Sequence, residues 1–101
     1  MKAVIGSTVV AEAPTEELVK IEGNWYFPPS SLDEGAFEKS PTAYHCPWKG
    51  DAQYWNVRSD DGVAADGAWS YPDPIPTAFD RVGQDFSGYV AFDKSQVSLG
   101  E

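Results

Sequence analysis

No stretch of this chain repeats apolar residues at helical spacing for long enough to carry a crossover between parallel strands. Short β-branched and aromatic runs are cut instead by Gly, Pro, Asn and Asp. A doubly wound α/β fold is thereby disfavoured, and seven or eight short strands joined by turns are expected. Lys2 to Ile5 and Thr8 to Ala11 flank Gly6-Ser7, a pair suited to a two-residue hairpin turn. Leu18 to Ile21 and Trp25 to Phe27 flank Glu22-Gly23-Asn24 in the same manner. Ala52 to Arg58 alternates as a central strand, with Ala52, Tyr54 and Asn56 on one face and Gln53, Trp55 and Val57 on the other. Asp60-Asp61-Gly62 turns it into Val63 to Tyr71, where Asp66-Gly67 marks a bulge. Gly88 to Phe92 and Gln96 to Leu99 read as a last hairpin around Asp93-Lys94-Ser95.

Helix is sparing. Ser31-Leu32-Asp33-Glu34 has the spacing of a capping box and predicts one short helix near 31–39, in which Gly35 costs about 1 kcal/mol relative to Ala. Pro72, Pro74 and Pro76 force an extended corner, with a helical turn near 76–82 after it. The fold class is therefore mainly β, all-β or α+β: a small antiparallel sheet, half-closed like a barrel or tent-like. At 101 residues the chain reads as one domain, 1–101.

Sixteen acidic against seven basic side chains give a net charge of -9, which repels nucleic acid and anionic membrane surfaces. The lone Cys46 has no partner for an intrachain disulfide, no charged-then-apolar leader follows Met1, and no apolar run nears the ~20 residues of a spanning helix. A cytoplasmic location is the expectation.

The stretch from Thr42 to Trp55 gathers the only His, the only Cys and two of the four Trp. Within it, Cys46-Pro47-Trp48-Lys49-Gly50-Asp51-Ala52 resembles the signature of the bacterial domain-of-unknown-function four-twenty-seven family. Trp25-Tyr26-Phe27-Pro28, Ala68-Trp69-Ser70-Tyr71-Pro72-Asp73-Pro74 and Gly88-Tyr89-Val90-Ala91-Phe92 resemble that family's other blocks in order and spacing. The resemblance spans essentially the whole chain. It implies a small β-rich domain and, in some classifications, a nucleotidyltransferase-like label, but no catalytic residues to carry over. The sequence has no Walker-type loop and no Gly-Ser pattern followed by Asp-x-Asp.

Cys46 has two readings, a thiolate activated by His45 or Lys49 and a small buried apolar residue. Neighbouring residues of an extended segment point to opposite faces, so Lys49 is the better activator. One Cys and one His fall short of a four-ligand zinc site, and Asp60, Asp61 and Asp66 lack the closing Glu of a calcium loop, so no metal and no cofactor are expected. Glu12, Glu16, Glu17, Asp33, Glu34 and Glu38 read as a solvated acidic face. The aromatics either fill a core on both sides of the central strands or leave a pocket.

The leading functional reading is a domain that binds an uncharged or modestly anionic metabolite in an aromatic pocket at the Cys46–Lys49 turn. Trp48, Lys49, Tyr54, Trp69, Tyr71 and His45 are its candidate binding residues. A second reading is an enzyme acting on a nucleotide or related metabolite through Cys46 or Lys49. A third is an interaction module whose exposed aromatics form a homodimer or partner interface.

Overall fold

The computed structural model describes all 101 residues. Nine strands form three antiparallel sheets that stay open and do not close into a barrel. The chain begins with the hairpin β1 (Lys2–Ile5) and β2 (Thr8–Glu12), continues with the hairpin β3 (Val19–Ile21) and β4 (Asn24–Tyr26), and then makes two short 3-10 turns. Next come the long strands β5 (Phe37–Cys46), β6 (Gly50–Ser59) and β7 (Gly62–Ser70), the short helix α1 (Pro76–Val82), and strands β8 (Val90–Phe92) and β9 (Ser98–Gly100). Sheet order is β2-β1-β9, β3-β4 and β5-β6-β7-β8.

The four-stranded sheet is the frame, and alternation along its strands feeds two separate cores. Toward one face go Val57, Ala64, Ala68, Val90 and Phe92, packed with Phe27 and with Ala3, Val10, Ala11 and Val97 from the β2-β1-β9 side. Toward the other go Tyr71, Ala91 and Cys46, packed with Val19 and Ile21 of β3, Ala78 of α1, and Phe86. Adjacent Tyr26 and Phe27 enter different cores, as consecutive residues of an extended chain must. β6 lies between β5 and β7, as its alternation predicts. The bulge falls where Asp66-Gly67 stand: Trp55 pairs with Ala68 and Val57 with Ala64, while Asp66, at φ +51°, donates its N–H to Asn56 Oδ1 at 2.9 Å.

Two expectations are corrected. The helix near 31–39 does not form; Pro29–Ser31 and Glu34–Ala36 are 3-10 turns, and Phe37 already begins β5. The Ser31 hydroxyl donates to the Pro28 carbonyl at 2.7 Å instead of capping, the Asp33 N–H bonds the Val10 carbonyl at 2.9 Å, and Leu32 bridges to Ala11. Phe37 sits opposite Val57 with its ring against Trp55 and Phe92, so strand pairing and aromatic packing outweigh a marginal local helix signal. The last hairpin is not one either. The Asp93 carbonyl accepts the N–H groups of Gln96 and Val97, which turns the chain away; β8 pairs with β7 and β9 with β1. The helical turn near 76–82 is present as α1, which closes at Gly83.

Candidate functional site

Cys46 pairs with Gly50, so Pro47, Trp48 and Lys49 form the β5–β6 connection. Gly50 takes φ +111°, which favours glycine, and next to it the Lys49 carbonyl accepts the Ile75 N–H at 2.9 Å. Lys49 is 6% exposed. Its Nζ lies 4.9 Å from the Trp48 ring centre and 5.2 Å from that of Tyr71, and it forms an ion pair with Glu22 at the tip of the β3–β4 turn. The Arg81 guanidinium, on α1, stands 4.2 Å from the Trp48 ring centre. Two cations of the chain, Lys49 and Arg81, thus lie against the Trp48 ring.

The other sequence candidates are divided. Tyr54 and Trp69 are neighbours at 6.3 Å between ring centres, and Trp69 donates its indole N–H to the Tyr26 hydroxyl at 3.0 Å. Burial pushes Tyr26 up to about 12, against the Trp69 hydrogen bond, which favours the phenolate. Burial also raises Tyr71, and raises Tyr54 with the help of the Asp66 charge. Cys46 is buried, whereas adjacent His45 is exposed and bonds Asp51 Oδ1 through Nδ1 at 2.8 Å. Trp48, Lys49 and Tyr71 are therefore brought together, Tyr54 and Trp69 meet beside them, and His45 stands apart. No cleft is lined by Cys46, Trp48, Lys49, Tyr54, Trp69 or Tyr71.

An apolar cleft of about 330 Å³ opens at a different place, on the face of the sheet that Trp55 faces. Phe37 of β5, Trp55 of β6 and Val90 of β8 supply part of its wall, and Pro29 and Leu32 contribute from the segment that replaces the expected helix. Ser70, Pro72 and Gly88 complete it, with Glu34 as its only charged lining residue. The Trp55 indole N–H donates to the buried Ser70 hydroxyl at 3.0 Å, which fixes the ring. Sequence reasoning places Trp55 in the core and Glu34 on a solvated face. The shared parity of Trp55 with Gln53, opposite Ser70, is the one sequence signal that an indole and its acceptor meet here. No group of three or more His, Cys, Asp and Glu side chains is gathered to hold an ion.

Fold and cleft together define a small, mainly β protein with one sealed aromatic core and one core that opens to solvent. The chain belongs to the family described as Domain of unknown function (DUF427), whose sequence model matches residues 1–100. No curated protein matches it. No helix is long and apolar enough to cross a membrane.

Proposed function

We propose that this protein binds a small, mainly apolar molecule in the cleft beside Trp55. The observation that carries the reading is the cleft of about 330 Å³, walled by aromatic and aliphatic side chains with one hydroxyl and one carboxylate. That volume lies at the lower end of the roughly 300–1,000 Å³ of small-molecule sites, and its make-up is theirs. The Cys46–Lys49 turn, in contrast, has its rings covered by Lys49 and Arg81. Catalysis through Cys46 or Lys49 has little to support it, since the thiol is 5% exposed and the ammonium is engaged by Glu22. The reading places the protein in the cytoplasm, where a single unpaired Cys46 is at home.

The test is a titration with phenethyl alcohol followed by the indole N–H resonances of the four tryptophans. The Trp55 signal is expected to move while those of Trp48 and Trp69 hold still. Movement of Trp48 with Trp55 unchanged returns the site to the turn, and no movement at all refutes small-molecule binding at either place.

A further inference from the structure

From the same cleft we infer the charge class of its ligand: an organic cation, an ammonium carried on a small apolar body. This rests on the reading of the cleft as a binding site. The protein already buries one ammonium-bearing side chain, that of Lys49. Lys49 Nζ is held by the faces of Trp48 and Tyr71 at 4.9 and 5.2 Å and by the Glu22 carboxylate. Aromatic faces attract a cation through their quadrupole, and a carboxylate supplies the countercharge.

The cleft offers related chemistry, aromatic rings and a carboxylate, with Lys39 standing opposite Trp55 in the β5–β6 register but outside the lining. Trp55 and Phe37, 6.4 Å apart between ring centres, form an aromatic corner, and Glu34 shares the lining. No Lys or Arg lines the cleft, and Glu34 takes part in none of the four ion pairs of the protein. A bound anion would meet an uncompensated carboxylate beside low-dielectric walls. A bound ammonium would meet that carboxylate and two rings, within the field of a chain of net charge -9. Charge complementarity therefore selects the cation over the neutral molecule, and the neutral molecule over the anion.

The experiment uses three probes that share a phenyl body: phenethylamine, phenethyl alcohol and 3-phenylpropionate, titrated at neutral pH and low salt against the Trp55 indole resonance. The amine is expected to bind about fivefold more tightly than the alcohol, the sum of an exposed carboxylate contact and a cation–aromatic contact. 3-Phenylpropionate is expected to bind most weakly. Glu34→Gln should narrow the gap between amine and alcohol to about twofold, the part left to the aromatic faces, and added salt should narrow the same gap in the wild type. If alcohol and amine bind the wild type equally, or if Glu34→Gln leaves the gap intact, the charge class is wrong while the cleft remains a binding site. If none of the three moves Trp55, the cleft and the inference fall together.

Discussion

The two faces of the β5–β8 sheet carry cores that differ in size, thirteen buried residues against eight, and in chemistry. On one side Tyr26 and Tyr71 sit with Cys46 and Phe86, and the nearby turn is closed by Lys49 and Arg81 over Trp48. On the other side the aromatic rings are Trp25, Phe27, Phe37, Phe92 and Trp55, with no tyrosine; Lys20 covers Trp25, and the packing leaves the cleft beside Phe37 and Trp55. A tryptophan covered by the chain's own cations is part of the scaffold. Trp55, hydrogen-bonded through its indole N–H to Ser70, lines a cleft instead.

The largest difference is expected when the covered face loses its cation. Lys49→Ala should lower unfolding free energy in a urea titration by about 2–3 kcal/mol, because it removes a buried stem as well as the contacts to Glu22, Trp48 and Tyr71. Lys49→Met should recover about half of that, since it keeps the stem's packing. Equal losses for Met and Ala would show that charge alone matters there, and no loss for either would erase the distinction between the faces.

Alkaline pH should strike the tyrosine face alone. Tyr26 is raised from 10.0 to about 12 and Tyr71 is raised as well, so the folded protein holds their protons more tightly than the unfolded chain does. Their contribution is complete below pH 10 and is lost as pH climbs from 10 toward 12, at up to about 1.4 kcal/mol per group per unit. Urea titrations at pH 9 and 11 measure the fall, and Tyr26→Phe should reduce it. An unchanged fall in that variant would assign the alkaline loss elsewhere.

A smaller effect is expected on the open face. Trp55→Phe leaves the buried Ser70 hydroxyl without its indole donor and should cost about 1 kcal/mol while weakening phenethyl alcohol binding. Trp48→Phe should leave that binding untouched. The smallest effect belongs to Glu34→Gln, whose unfolding free energy in a urea titration should match wild type within about 0.5 kcal/mol, since Glu34 is exposed and unpaired.

Much of this frame is readable from local chemistry. The hairpins around Gly6-Ser7 and Glu22-Gly23 and the bulge at Asp66-Gly67 follow from residues that tolerate positive φ, which act within a few positions of themselves. The closeness of Trp48 and Lys49 is equally local. What escapes is whatever depends on distant partners. Nothing near Lys49 in sequence announces that its anion is Glu22, 27 residues earlier. The Ser31–Glu34 box looks complete on paper and fails because Leu32 and Asp33 are claimed by β2 and Phe37 by β6. The cleft is lost with it, for Pro29, Leu32 and Glu34 become wall residues only when that segment runs as two short 3-10 turns instead of one helix. The final hairpin fails for a related reason: Ser98–Gly100 finds a better edge on β1 than on its neighbour in sequence.

Strand β5 lies at the end of its sheet, and its register against β6 shifts between Lys39 and Ala43. Pro41 stands inside that irregularity, between the exposed Lys39 and Thr42, and has no N–H to offer an incoming strand. The regular part of β5 is therefore split into two short runs, Phe37 to Lys39 and Ala43 to Cys46, each a poor template for stacking one molecule on another. At high concentration this border should therefore not seed sheet-to-sheet growth between molecules.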